Sequence, residues 1–251
     1  MLYVDNLTKI YNNKIVAIKD LSFSLNKNKV LGLVGPNGSG KTTTINLILG
    51  TIKSNSGEIL YENYKNDSLE FKKKVGYIPD DLILPESLTG REYIDFILSI
   101  YSIKKSNKLN KLIKLYNMQD FLDILIKEYS HGMKKKIQII VAFSLESELI
   151  IIDEPFRGLD IESIIITKQL FKSFIKSGSI LLCSHDLNLI EELADEVIML
   201  YKGDTVAKGT SSFLKEKFEC NDLEEVFMNV SIGEDRKHEI GEIISNFNNN
   251  A

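Results

Sequence analysis

Cysteine is scarce in this chain: Cys183 and Cys220 are the two in 251 residues, they sit in unrelated contexts, and they lack metal-ligand spacing. That argues against a disulfide framework and a thiolate metal site, and suggests a reducing compartment. Histidine is nearly as rare, with three residues. Basic charge is not in excess. The formal net charge of -4 speaks against a nucleic-acid partner, whose binding domain would be basic. No apolar run approaches the length of a membrane span; the longest, ELIIIDEP, has the length of a buried strand. The opening MLYVDNLTKIYNNK carries polar and charged residues where a leader needs an apolar core, so no cleaved leader is expected. Any work at a membrane is therefore expected to go through a partner. Internal repeats are missing too.

What is present is ordinary for a globular protein: 43% hydrophobic and 26% charged residues. LYVDNLTKIY and KIVAIKDLSFSL alternate and read as antiparallel strands with one wet face. KVLGLVG is a short apolar strand running into glycines, and KTTTINLILG is a helix stopped by Gly50. GEILYEN and KKVGYIPDD read as strands. After Pro85 the pattern turns helical, with Tyr93, Ile94, Ile97, Tyr101, Leu112, Ile113 and Tyr116 at helical spacing. Strand–helix alternation resumes with ELIIID, IESIIITKQLFKSFIKSG, SILLCSH, DLNLIEELAD and EVIMLYKG. The expected fold is α/β, with a mostly parallel sheet covered on both faces, an N-terminal antiparallel β subdomain, and a helical subdomain of about residues 86–132 inserted in the core of a domain spanning residues 1–230. Residues 231–251 are expected to form a C-terminal helix, with Ile240, Ile243, Ile244 and Phe247 on one stripe, and a frayed tail.

GPNGSGKTT fits the pattern G-x-x-x-x-G-K-[ST], with a strand before it and a helix after it. The residues from Gly35 through Pro36, Asn37, Gly38, Ser39 and Gly40 would turn backbone N–H groups inward around phosphate oxygens. The helix start adds about half a positive charge. Lys41 would reach the outer phosphates, the Thr42 hydroxyl would ligate Mg²⁺, and Thr43 continues the first turn. The competing reading is a glycine-rich turn with an incidental lysine. LIIIDEP ends a doubly buried strand in Asp153 and Glu154. Two acids there are costly unless they meet a cation or donors. Mg²⁺ resolves that cost for Asp153, and Glu154 stands where a base would orient water at the γ-phosphate. The alternative is a pair of acids capping the next helix.

These two motifs together make a P-loop NTPase, and from Tyr11 to about Phe227 the chain resembles one branch: the ATP-binding subunits of ABC transporters. YSHGM resembles that family's signature, RGLD the loop after the catalytic Glu, and CSHD the switch-histidine region. The resemblance implies that Tyr11 stacks on adenine and that Asp160 is the acid of its loop. It assigns His185 to the γ-phosphate, and places Ser130 and Gly132 at a helix start facing ATP held by another subunit. Residue 185 also reads as a possible helix cap, with Asp186 the better candidate. The lysines Lys134, Lys135 and Lys136 are expected to face solvent or nearby acids. His131 replaces the family's usual glycine, and its backbone N–H survives the change. Where the family carries Gln after a strand like VGYIP, this chain has Asp80, read either as an altered Mg²⁺ ligand or as a turn acid beside Pro79.

The resemblance implies an ATPase using ATP and Mg²⁺, a separate integral membrane permease subunit as partner, and a second ATP-binding subunit. A complete motif set on one chain permits a homodimer. It further implies a cytoplasmic protein held peripherally on the inner face of the cell membrane. LTGREYIDF, YSHGMK and LEEVFMNV resemble exporters of drugs, antibiotics or peptides. The alternative is a non-transport cytosolic ABC ATPase acting on a protein assembly.

Overall fold

The computed structural model describes residues 1–12 and 14–231. In chain order they form β1 (Leu2–Tyr11), β2 (Ile15–Leu25), β3 (Val30–Val34), α1 (Lys41–Ile48), β4 (Ser56–Tyr61), β5 (Tyr64–Lys65), α2 (Leu69–Lys74) and β6 (Val75–Ile78). Two helices follow, α3 (Gly90–Ile100) and α4 (Asn107–Leu115), then α5 (His131–Ser144), β7 (Leu149–Asp153), α6 (Ile161–Phe174), β8 (Ser179–Ser184) and α7 (Leu187–Leu193). The chain closes with β9 (Glu196–Tyr201), β10 (Asp204–Gly209), α8 (Ser211–Lys217) and α9 (Leu223–Ser231). The stripe expected at residues 240–247 lies outside the described residues.

The strands make two sheets. One is antiparallel in the order β2-β1-β4-β5; the other runs β10-β9-β3-β8-β7-β6, parallel except for the edge strand β10. The alternation read in the first strand is seen in Leu2 and Val4, buried, beside Tyr3 and Asp5, exposed. It breaks between Val4 and Leu7, where the pairing with β2 shifts register and Asn6 adopts a φ of 47°.

The continuous apolar runs of the parallel strands resolve into two faces of period two. Leu149, Ile151, Leu181 and Cys183 enter a core shared with α1 and the antiparallel sheet. Ile150, Ile152, Ile180 and Leu182 enter the other, with Ile139 and Phe143 of α5, Phe171 of α6 and Ile190 of α7. Each such burial is worth about 1.5–3 kcal/mol. Helix α7 comes so close to β3 that a Cβ on Gly32 would lie 2.6 Å from Ile190 Cγ2, which leaves glycine the only residue without a clash there.

The helical stretch forms because its ends are capped and its apolar stripe has a place to go. Thr89 Oγ1 accepts from the Glu92 N–H and Glu92 Oε2 accepts from the Thr89 N–H, closing a capping box at α3. Ile94, Leu112, Ile113 and Tyr116 are buried in the helical core, and Tyr93, Ile97 and Tyr101 pack against it. The buried Tyr116 hydroxyl meets Thr167 Oγ1 at 2.8 Å, tying this unit to α6.

The register of the parallel sheet positions the site. Val34 lies opposite Ser184, Asp153 opposite Cys183, and Ile78 opposite Ile152. The segments leaving β3, β7, β8 and β6 therefore emerge side by side at one edge: Gly35 onward, Glu154, His185, and Pro79–Asp80.

Candidate functional site

The loop after β3 is held open by its glycines. Gly40, the N-cap of α1, has a φ of 111°, and a Cβ there would lie 2.4 Å from Ile18 Cδ1 and 2.6 Å from the Ala17 carbonyl oxygen. Gly38 has a φ of 80° with nothing within 4 Å of a would-be Cβ, so one side of the loop stays open. The Ser39 N–H donates to the Pro36 carbonyl at 3.1 Å, while the buried Ser39 Oγ has no partner. No side chain caps α1, which leaves its first-turn N–H groups turned to whatever anion the loop surrounds. Buried Lys41 curls back, its Nζ donating to the Gly35 carbonyl at 2.6 Å and the Pro36 carbonyl at 3.3 Å. Thr42 is exposed and Thr43 half-buried. Gly35, Pro36 and Asn37 share a cleft of about 350 Å³ with His185, Leu187 and Phe227; the wall from α9 and α7 was not anticipated from sequence.

Asp153 is buried at the end of β7. Burial, with the Glu154 and Asp80 carboxylates close by, pushes its carboxyl up to about 6. Glu154 follows with a φ of 46°, a left-handed setting that costs a non-glycine residue about 1–2 kcal/mol. Its backbone N–H donates to the Cys183 carbonyl at 2.9 Å, and three further hydrogen bonds hold its carboxylate. Oε1 accepts from the His185 N–H at 3.0 Å and from His185 Nδ1–H at 2.7 Å; Oε2 accepts from Ser184 Oγ–H at 2.9 Å. Strain held in place at a candidate site by its surroundings is a known mark of function. Asp186 caps α7, its Oδ1 accepting from the Leu189 N–H at 2.9 Å, so His185 is free of that task.

Asp80 lies beside this edge and pairs with Arg157: Arg157 Nη1 donates to Asp80 Oδ2 at 2.7 Å, while Asp80 Oδ1 is buried without a partner. Among the described residues no three His, Cys, Asp or Glu side chains converge as an all-protein metal cage. The oxygen donors present, the Thr42 hydroxyl with one or two carboxylates, suit a hard cation that takes its remaining ligands from phosphates and water. The buried acid Asp153, near Lys41 and two other carboxylates, fits such an ion.

The remaining candidates sit elsewhere. Ser130 is the N-cap of α5, its Oγ accepting from the Met133 N–H at 3.2 Å. Gly132 lies against the loop after β7, where a Cβ would come within 2.9 Å of the Gly158 carbonyl oxygen. Asp160 caps α6 and pairs with Lys136 at 2.9 Å. Its carboxyl is pulled down to about 2, first by the Ser163 backbone N–H and then by Lys136. Among the described residues, no hydrogen bond joins Ser130, Gly132 or Asp160 to the phosphate loop. Tyr11, at the end of β1, is partly exposed, with the Lys9 ammonium 5.1 Å from its ring centre.

The three lysines of α5 do not behave alike. Lys134 pairs with Glu86 and Lys136 with Asp160, as expected. Lys135 does not face solvent: it is fully buried, its Nζ donating to the carbonyls of Pro79 at 2.8 Å and Asp153 at 3.3 Å rather than to a carboxylate, with the acids Asp80, Asp153 and Glu154 nearby. Burial pulls its ammonium down to about 8. The reason is its helical phase. Lys135 shares a face with Gln138, Ile139 and Ala142, all buried.

A family model described as ABC transporter matches residues 18–157. The chain is 34% identical over 247 residues to the ABC-type transporter ATP-binding protein EcsA of Bacillus subtilis (strain 168), covering 95% of this chain and 99% of that protein. It is 33% identical to the SkfA peptide export ATP-binding protein SkfE of the same organism, over 81% of this chain and 86% of that one. Among solved structures it resembles an ATP-binding subunit of an ABC transporter, with a TM-score of 0.86, 29% identity, and coverage of 92% and 99% of the two chains. Among the described residues no helix is long and apolar enough to cross a membrane.

Proposed function

The chain belongs to the ABC transporter family as an ATP-binding subunit, an ATPase, and from that premise we propose that it powers export of a drug, antibiotic, peptide or similar compound through a separate membrane permease. The observation that carries the mechanism is the split of the candidate site. An uncapped helix start, Asp153, Glu154 and His185 share one sheet edge, while Ser130 and Gly132 stand at the start of a different helix and, among the described residues, make no hydrogen bond to that edge themselves. A nucleotide held by the phosphate loop of one copy thus has its γ-phosphate free to meet the α5 start of a second.

In this reading the phosphate loop from Gly35 to Thr43 surrounds the phosphates, and Lys41 leaves the loop carbonyls for the outer ones. Tyr11 stacks on the base. Ser130, Gly132 and Asp160 serve the nucleotide of the facing copy. Thr42, Asp153 and Asp80 would hold Mg²⁺, which when bound neutralises phosphate charge. Glu154 takes the proton of the attacking water, and His185, hydrogen-bonded to it, orients the γ-phosphate. Two copies clasp around ATP and release after hydrolysis, so free energy passes to the permease as a shift between closed and open pairs. The chain is placed at the inner face of the membrane, held there by the permease. The export direction is supported by the similarity to SkfE, a peptide export ATP-binding protein.

The test is Glu154→Gln. Turnover should fall on the order of 10² to 10⁴-fold while ATP binding persists, and ultracentrifugation with saturating Mg-ATP should show a dimer. A variant that stays monomeric with ATP, with the permease also supplied, would refute the shared-nucleotide reading. Co-purification with a soluble assembly in place of a membrane protein would refute transport.

A further inference from the structure

Helix α5 begins at Ser130, yet one turn further in it is bolted to the chain's own sheet edge. Lys135 is fully buried and bridges two loops: its Nζ donates to the Pro79 carbonyl, just before Asp80, and to the Asp153 carbonyl, just before Glu154. Three residues on, Gln138 Nε2 donates to the Asp81 carbonyl at 3.0 Å. The same two loops are joined again on the outside by Arg157 and Asp80. A buried ammonium is a costly way to fill space; an apolar side chain would suit a helix face that also carries Ile139 and Ala142. What the ammonium supplies, and an apolar residue cannot, is several donors from one point to carbonyls of different strands, with a positive charge beside Asp80, Asp153 and Glu154.

We propose that Lys135 is a positioning residue for hydrolysis: it ties the helix that presents Ser130 to the backbone of Asp153 and of the Asp80 loop, so that the setting of α5 is felt at the chain's own metal-and-base edge. This rests on the reading above. The hydrogen bonds of the Lys135 ammonium go to backbone carbonyls on the carboxylate side of the site, whereas the glycine-loop carbonyls of Gly35 and Pro36 are held by Lys41. Loss of the ammonium should therefore spare metal-free nucleotide binding and disturb what depends on the carboxylates.

The experiment uses Lys135→Met and Lys135→Gln, each in the full chain and each also combined with Glu154→Gln. A fluorescent ATP analogue is titrated in EDTA, then at fixed nucleotide with increasing Mg²⁺, and steady-state kinetics are run on the single variants. Metal-free affinity should stay within two-fold of the parent. The Mg²⁺ midpoint should rise at least three-fold in both variants, more for Met, and kcat should fall at least ten-fold while KM changes less than three-fold. Thermal denaturation accompanies each variant; if the Met variant does not fold, the Gln variant alone decides. A Mg²⁺ midpoint that moves less than three-fold, or a metal-free affinity that falls in step with it, makes Lys135 a packing residue and overturns the proposal. If the parent itself shows no Mg²⁺-dependent nucleotide binding, the site assignment fails first and takes this inference with it.

Discussion

Asp160 performs two tasks that substitution can separate. Its Oδ1 accepts from the Ser163 N–H at 2.7 Å, capping α6, and its Oδ2 accepts from Lys136 at 2.9 Å, tying α6 to α5. Capping by Asp is worth about 1 kcal/mol over Ala, and Asn caps about as well as Asp. The ion pair has one sheltered partner, Lys136 with 17% of its side chain exposed, and one open one, Asp160 with 57%; screening holds such a pair to about 0.5 kcal/mol. Asp160→Asn should therefore cost about 0.5 kcal/mol and Asp160→Ala about 1.5 kcal/mol. At about 2–4 °C per kcal/mol for a domain of this size, the melting temperature should fall by about 1–2 °C and about 3–6 °C respectively. Lys136→Met should match Asp160→Asn, and the two together should cost no more than either alone.

The pH dependence supplies a second arm. The Asp160 carboxyl sits at about 2 in the folded chain, pulled down by the Ser163 N–H and Lys136, against about 3.9 when unfolded. A depressed carboxyl stabilises the fold in full above the unfolded value and loses that contribution as pH falls through the folded one. Urea midpoints of the parent and Asp160→Ala should thus differ most at pH 7, keep that gap down to about pH 5, and converge as pH drops from about 4 towards 2. If Asn proves as damaging as Ala, or the gap fails to narrow in acid, the cap and the ion pair have been misassigned.

The sheet was legible because its strands are short apolar runs that end where chemistry begins. VLGLVG runs into a glycine loop and LIIID into acids, and the helix after Gly40 has no side-chain cap to compete with an anion. The helical insertion was legible because Ile94, Leu112, Ile113 and Tyr116 repeat at helical spacing and all find one core. What was not legible depends on backbone atoms brought together from afar. Lys135 stands between two lysines that form ion pairs, and its burial is made tolerable by the carbonyls of Pro79 and Asp153 and by acids that reach it from the ends of distant strands. Buried Ile139 and Ala142 at helical spacing after it were the available signal, set against the weight of three consecutive charges. The Asp80–Arg157 pair crosses 77 positions, and no local pattern matches an acid after one strand with an arginine after another. Strand β10 carries too weak a pattern to read because it is a short edge strand with one buried residue, Ala207, and the half-buried Val206 between exposed polar residues.

Two further substitutions test the geometry directly. Gly40→Ala forces a Cβ into a φ of 111° and to within 2.6 Å of the Ala17 carbonyl oxygen; strain of about 1–3 kcal/mol should reshape the loop and lower ATP affinity at least ten-fold, and a titration within two-fold of the parent would mean the loop does not cradle phosphate. At the buried pair Tyr116–Thr167 the two partners are not equivalent. Thr167 Oγ1 also donates to the Ser163 carbonyl at 2.7 Å, so Tyr116→Phe leaves no orphan and should cost about 1 kcal/mol, whereas Thr167→Val strands a tyrosine hydroxyl on a residue 1% exposed and should cost about 1–3 kcal/mol. Calorimetry that finds the phenylalanine variant the more damaged of the two would show that the Tyr116 hydroxyl is satisfied by something other than Thr167, and the docking of the helical insertion onto α6 would have to be redrawn.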